Sequence, residues 1–153
     1  MESEFVTRLI IAAVLGGLLG LERSIAGKHA GMRTYALVSL GSALFTVVGI
    51  IASFQYSTFV GITPLALAGF VIVGIGFIGS GFSAMRTEGN NHVELTTATG
   101  IWVAAGVGLA AGFGYYGIAV AAAILSALVF SVLAKVEHSL RTRFSGSYNA
   151  THE

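Results

Sequence analysis

The chain has 153 residues, of which 55% are hydrophobic and only 10% are charged, whereas soluble domains carry roughly 25% charged residues. This composition excludes a water-soluble globular domain, and the length suits one domain. The eight Lys and Arg residues are too few and too scattered for a nucleic-acid surface, and the absence of cysteine excludes disulfides and thiol chemistry.

Apolar segments of membrane-spanning length follow one another along the chain. Each has about 17 to 23 residues, close to the ~20 that an α-helix needs to cross a lipid bilayer. The sequence therefore predicts an all-α membrane protein, with five transmembrane helices in residues 1–135 and a polar tail in residues 136–153. The segments are Phe5–Leu21, Tyr35–Phe54, Thr63–Met85, Leu95–Gly112 and Tyr115–Lys135.

The Lys and Arg residues fall almost entirely on one side of such a bundle. The first and third connections, the end of the fifth segment and the tail hold seven of the eight, and the second and fourth connections hold none. Since short loops rich in Lys and Arg stay cytoplasmic, the pattern predicts an outside N-terminus and a cytoplasmic C-terminus. Arg8 would then lie near the outer surface, where we expect its side chain to snorkel.

Glycine is frequent within the apolar segments, as expected where membrane helices approach closely. Gly16 and Gly20 form one GxxxG pair, and Gly108 and Gly112 form another. Each pair predicts a smooth face for helix packing. The sequence leaves open whether these faces meet within one chain or between chains.

The third segment contains Gly74, Gly76, Gly79 and Gly81. The first three match the dinucleotide-binding pattern GxGxxG, but the strand, turn and helix that this fingerprint requires are not predicted here. Two interpretations remain. The glycines serve close packing, or they mark a thin, locally unwound helix whose carbonyls line a cavity or an ion path.

The densest polar stretch lies between the first two segments. Glu22 and Arg23 directly follow the first segment, and Lys28 and Arg33 precede the second. Because a carboxylate at the membrane boundary is costly unless it is paired, we expect these basic residues to supply counter-charge. The alternative is an interfacial loop whose basic side chains contact anionic lipid headgroups.

A second polar stretch precedes the fourth segment. Glu94 lies where the helix dipole favours a carboxylate, and Thr96 and Thr97 can cap backbone groups or bond to a neighbouring helix. Glu22 and Glu94 share the predicted cytoplasmic side, and Mg²⁺ prefers carboxylate, hydroxyl and carbonyl oxygens. These four residues are therefore candidates for a cation or proton site, with Glu22 and Glu94 as metal ligands.

No other cofactor is indicated by the residues. No nucleophile, histidine cluster or pair of acids has the spacing that a catalytic site requires, so the sequence does not predict an enzyme.

Three blocks of the sequence resemble the MgtC/SapB family of bacterial inner-membrane proteins. The first runs from Gly16 to Arg23 and continues from Lys28 to Thr34. The glycine run from Gly74 to Gly81 is the second, and Leu95 to Ala98 before Trp102 is the third. The resemblance implies a five-helix domain in the bacterial plasma membrane and a role in Mg²⁺ homeostasis. The absence of a soluble C-terminal domain is similar to the shorter branch of the family.

The chain departs from the family pattern at two places. The family's Asp-Pro at the start of the third helix is Thr63-Pro64 here, so one acid is missing. Before Leu95, the family has a basic residue and a glycine, whereas this chain has Val93 and Glu94.

Two functions agree with these features. The first is a homo-oligomeric transporter or sensor of Mg²⁺ or another cation, since five helices are few for a carrier and a subunit interface could complete a pore. The alternative is a regulator without transport activity that binds another membrane complex. The family resemblance implies the proton-translocating ATP synthase as such a partner.

Overall fold

The computed structural model describes residues 2–56, 63–84, 95–137 and 139–140. Within these ranges the chain is helical without strands, and five helices are long and apolar enough to cross a membrane. The predicted all-α membrane fold is therefore confirmed, while the side on which each terminus lies stays a prediction. The helices are α1 (Glu2–Ile25), α2 (Met32–Gln55), α3 (Pro64–Ala84), α4 (Leu95–Gly112) and α5 (Tyr116–Leu128).

The first connection is shorter than the sequence predicts. Glu22 and Arg23 belong to the last turn of α1, and Arg33 and Thr34 belong to the first turn of α2. α1 continues through these charged residues because it still packs against neighbouring helices beyond Leu21. This packing buries Arg23.

Two glycines in the left-handed conformation end α1 and α4. Gly27 has φ +67° and Gly114 has φ +85°, a region that residues with a Cβ rarely adopt. After α1, the amide of Lys28 donates to the carbonyl of Arg23, and that of Gly27 donates to Ser24. The same two-bond pattern ends α4, so both helices stop at a glycine and the chain reverses direction.

The start of α3 is set by Thr63 and Pro64. Thr63 Oγ1 accepts a hydrogen bond of 3.1 Å from the amide of Ala66, and Pro64 occupies the first helical position, where no amide proton is needed. The threonine thus caps the start of α3.

The helix α3 is continuous through its glycine run. Of these glycines, Gly79 approaches Ala98 of α4, since a Cβ on it would lie 3.8 Å from the Ala98 Cβ. Beside Gly74, Gly76 and Gly81, no described residue lies within 4 Å of an added Cβ. The helix is therefore not unwound here, and only one of the four glycines serves packing against α4.

α4 is the central helix of the bundle. It contacts each of the other four helices, and 61% of its span is buried, compared with 11% for α3. α3 packs against α2 and α4, whereas α5 packs against α1 and α4.

Both GxxxG pairs pack against α2 within the chain. A Cβ on Gly16 would lie 2.6 Å from the Ser39 Cβ, and a Cβ on Gly108 would collide with the Ser39 carbonyl oxygen. Gly20 and Gly112 contact α2 about two turns away from Ser39 in either direction, at Met32 and Thr46. α2 is thus held between two glycine faces, and the fully buried Ser39 hydroxyl has no hydrogen-bond partner among the described residues.

Candidate functional site

Arg23 is the buried charge of the bundle. Its side chain, in the last turn of α1, is only 6% exposed. Its Nη2 donates a hydrogen bond of 3.0 Å to Thr97 Oγ1 in the first turns of α4. Its Cζ lies 4.8 Å from the centroid of the Phe130 ring, within the range of a cation–π interaction. One guanidinium therefore joins α1, α4 and the end of α5.

The α5 helix changes its hydrogen bonding where Phe130 lies. Residues Val129–Leu133 form a π-helical segment, after which α-helix resumes to Glu137. A π-helical turn shifts the register of the side chains, and such turns are frequent at functional sites. Here the Phe130 ring is buried over Arg23.

Glu22 is the acid next to this arginine. Its Oε2 lies 3.9 Å from Arg23 Nη1, which is within ion-pair distance but too long for a hydrogen bond. This oxygen is shielded from solvent and accepts no hydrogen bond, and Arg23 Nε likewise lacks a partner among the described residues. The pair is therefore incompletely satisfied, although 30% of the Glu22 side chain is exposed.

Tyr35 and Gly100 lie next to Thr97 and Phe130 in the same cluster. Tyr35 Oη lies 3.5 Å from the carbonyl oxygen of Thr97. A Cβ on Gly100 would collide with Tyr35 Oη and would lie 2.7 Å from the Phe130 ring. The absence of a side chain at Gly100 thus leaves room on α4 for both Tyr35 and Phe130.

The structure brings together some of the predicted site residues and separates others. Glu22, Arg23 and Thr97 lie in one cluster, whereas Thr96 is exposed and its carbonyl accepts a hydrogen bond from Thr99. Arg23 is too buried to be a lipid anchor. Glu94, the other proposed metal ligand, lies outside the described residues.

The other two basic residues form a separate group. Arg33 makes no ion pair with Glu22, and both Lys28 and Arg33 line a cavity around the start of α2. Of the three predicted charge partners, only Arg23 is therefore within ion-pair distance of Glu22.

The acid content of the cluster limits its chemistry. Within the described ranges, no three His, Cys, Asp or Glu residues lie close enough to hold a metal ion. Glu22 provides carboxylate oxygens, but Arg23 neutralises its charge, and the Thr97 hydroxyl is already engaged. A cation at Glu22 would therefore compete with Arg23 or would need a further acid.

Sequence reasoning missed Phe130, Tyr35 and Gly100. Phe130 and Tyr35 lie within apolar segments, where a buried aromatic residue gives no signal of an arginine partner. Gly100 follows the polar run Thr96–Thr99, and a small residue beside such a run was the only available signal.

Arg8 forms a smaller polar contact at the opposite end of the bundle. Its Nη1 donates a hydrogen bond of 2.9 Å to the carbonyl of Gly112, and Nη2 pairs with Glu4. The side chain is only 15% exposed. Arg8 is thus partly buried at the carboxyl end of α4, which offers it a carbonyl acceptor, and its snorkelling stays a prediction.

Comparison with known proteins agrees with this fold. The profile of the MgtC family matches residues 9–139. The putative magnesium transporter YhiD of Escherichia coli K12 is 39% identical over 145 residues, which cover 94% of this chain and 66% of that protein. No solved structure matches the chain.

Two further relatives match a smaller part of their own length. Protein SapB of Bacillus subtilis is 36% identical over 118 residues, covering 76% of this chain and 50% of SapB. Protein MgtC of Salmonella typhimurium is 36% identical over 121 residues, covering 79% of this chain and 48% of MgtC. The chain thus spans between about half and two thirds of these relatives. It is a multi-pass inner-membrane protein that belongs to the MgtC family.

Proposed function

We propose that this protein acts in Mg²⁺ homeostasis by binding a cation at Glu22, as a transporter or sensor. The observation that carries the proposal is the Glu22 Oε2 atom, which is shielded from solvent, accepts no hydrogen bond from the described residues and lies 3.9 Å from Arg23 Nη1. The name of the YhiD relative, a putative magnesium transporter, supports Mg²⁺ as the cation.

Arg23 is the counter-charge in the absence of the cation. A shielded carboxylate needs a positive partner, and a divalent cation that retains part of its water shell can replace a loosely held guanidinium. Arg23 also bonds to Thr97 and contacts the Phe130 ring, so its release from Glu22 would change the contacts of α1 with α4 and with the end of α5. The proposed response to the cation is therefore a change in how these helices meet at Arg23.

Glu94 is the proposed second acid. It precedes Thr97 by three residues, and Thr97 is in direct contact with Arg23. Together Glu22 and Glu94 would outnumber the single guanidinium, and the site would then carry a net negative charge. Thr96, which points away, has no part in this proposal.

The packing of the bundle favours a path outside its centre. Gly16 and Gly108 hold α2 so closely at Ser39 that a route between α1, α2 and α4 would require these helices to separate. We therefore place any conducting path at an interface between copies of the chain, which would make the transporter a homo-oligomer.

Ion flux into sealed liposomes tests this function. The protein is reconstituted with a Mg²⁺-sensitive dye and, in parallel, a pH-sensitive dye inside the vesicles. We expect saturable Mg²⁺ entry that is lost in Glu22→Gln, while Glu137→Gln removes an exposed carboxylate elsewhere and retains flux. Equal flux in both variants would refute Glu22 as the acceptor.

Binding without flux would indicate a sensor. In that case, Mg²⁺ should raise the thermal stability of the wild-type protein and not of Glu22→Gln. Neither flux nor Glu22-dependent binding, from protein shown to be folded, would refute cation handling at this site.

A second candidate function is regulation of another membrane complex. It is favoured by an apolar groove of about 580 Å³ between α2 and α3, which Gly41 and Gly74 line without side chains. α3 is also the least buried helix. The partner that the family resemblance implies, the proton-translocating ATP synthase, would be captured by photocrosslinking from Phe70 on the groove and not from Ile118 on α5.

A further inference from the structure

The cavity that Lys28 and Arg33 line is polar. It lies around the amino end of α2, apart from the Glu22–Arg23 cluster. It has a volume of about 420 Å³ and is lined by residues from the end of α1, the connection and the start of α2. Lys28, His29 and Arg33 contribute the charged or titratable side chains, and Ser24 and Thr34 contribute hydroxyls. No carboxylate of the described residues lines this cavity, so the charge of its described lining is positive and favours an anion as its ligand.

The connection is folded tightly around the cavity. Ser24 Oγ accepts a hydrogen bond of 2.8 Å from the amide of Met32, and Gly31 packs so closely on Ser24 that any side chain there would collide with the hydroxyl. Together with the left-handed Gly27, this contact sets the position of Lys28 and His29 relative to Arg33. The basic residues are thus held around one space by a defined backbone.

The first turn of α2 leaves two amides available to a ligand. The residue that caps the helix is Gly31, which has no side chain to accept a hydrogen bond. The Met32 amide is bonded to Ser24, whereas the Arg33 and Thr34 amides have no acceptor among the described residues. The start of a helix favours anions through such amides and through the helix dipole.

We propose that this cavity binds a phosphate group. A phosphate has enough oxygens to accept from the forked guanidinium of Arg33, from Lys28 and from the two amides at once. The cavity exceeds the size of the phosphate alone and so has room for its ester substituent. This site is independent of cation binding at Glu22.

A membrane phospholipid is the source that the surroundings favour. Ile25, at the end of α1, is 80% exposed, and Met32, at the start of α2, is 47% exposed. These apolar side chains flank the polar lining at the edge of the bundle, which matches the boundary between acyl chains and headgroups. A soluble phosphate ester shares the same binding chemistry, and the experiment distinguishes the two.

Thermal unfolding of the whole protein in a neutral detergent tests the proposal. The probes are short-chain phosphatidylglycerol, short-chain phosphatidylcholine, inorganic phosphate and ATP, each titrated separately. We expect saturable stabilisation by phosphatidylglycerol and at least about tenfold weaker binding in Arg33→Gln, because charged hydrogen bonds are lost. Arg33 is exposed, so the substitution should leave the fold intact.

The control is Lys135→Gln, which removes an exposed basic residue from the same end of the bundle but outside the cavity. It should bind phosphatidylglycerol as the wild type does. Binding of inorganic phosphate or ATP that depends on Arg33 would also support the phosphate site but would assign it to a soluble ligand. Equal weakening in both variants, or no preference for any anionic probe, would overturn the proposal.

Discussion

The guanidinium of Arg23 lies over the ring of Phe130, with 4.8 Å between Arg23 Cζ and the ring centroid. Because Arg23 also bonds to Thr97, this contact connects the end of α1 to both α4 and the π-helical segment of α5. The same side chain is the nearest positive charge to Glu22.

Arg23→Met should destabilise the protein by about 2 kcal/mol, because it removes a cation–π contact and leaves Glu22 without its counter-charge. The measurement is reversible unfolding in mixed micelles with increasing SDS. Adding Glu22→Gln to Arg23→Met should recover part of the loss, since the uncompensated charge is then gone. A double variant that is as unstable as the sum of the two single variants would contradict the pairing.

Gly108→Ala should destabilise the protein by about 1 to 3 kcal/mol, because the new Cβ collides with the backbone of Ser39 on α2. Gly106→Ala is the matched control on the same helix, where nothing lies within 4 Å of the added atom. This control should be neutral or stabilising by up to about 1 kcal/mol, because alanine favours the helix. Similar unfolding of both variants would contradict the packing of α4 on α2.

Ser39→Ala should leave stability unchanged or raise it by up to about 1 kcal/mol, because the buried hydroxyl that it removes has no partner. Ser39→Val is the contrasting change. Its larger side chain has no room between Gly16 and Gly108 and should cost about 1 to 3 kcal/mol. A marked loss in Ser39→Ala would instead mean that the hydroxyl makes a bond essential to the fold.

Arg8→Gln should lower stability by about 1 to 2 kcal/mol, because the carbonyl of Gly112 loses a charged donor at the end of α4. Hydrogen exchange followed by mass spectrometry should show faster exchange in the turn that contains Gly114. Glu4→Gln, which keeps the bond to Gly112, serves as the control. Equal exchange in Arg8→Gln and wild type would rule out this cap.

Thr63→Ala should cost about 1 kcal/mol, because the amide of Ala66 loses its acceptor at the start of α3. Thr63→Asp should restore the cap and gain from the helix dipole, since aspartate is also a good capping residue. Unfolding in SDS measures both variants. If Thr63→Asp were as unstable as Thr63→Ala, the capping role would be refuted.

The number and order of the helices could be predicted because each apolar segment is long enough to cross a bilayer on its own. The ends could not be predicted as well, since Glu22 and Arg23 read as loop residues until their partners are known. Their place inside α1 depends on Thr97 and Phe130, which are distant in the sequence. Hydropathy predicts whether a segment lies in lipid or in water, but it does not predict which side chains contact one another.

The candidate site was predictable only in part. Glu22 and Thr97 stood out because polar groups are costly at the membrane boundary, and the structure brings both to Arg23. Thr96 has the same chemistry as Thr97 but lies on another face of α4, a difference that only the rotation of the helix decides. Whether Glu94 joins Glu22 stays a prediction.

The central position of α4 has a consequence for how the protein is made. A ribosome synthesises α1, α2 and α3 before α4, so the glycine face on the fourth helix reaches the lipid after the surfaces that it must meet. Until then, α2 has only α1 and α3 as neighbours within the chain, and Ser39 lacks its contact with Gly108. The first three helices therefore form an incomplete assembly in the bilayer until the fourth helix supplies the surface that all of them contact, and α5 then adds its own contacts with α1 and α4.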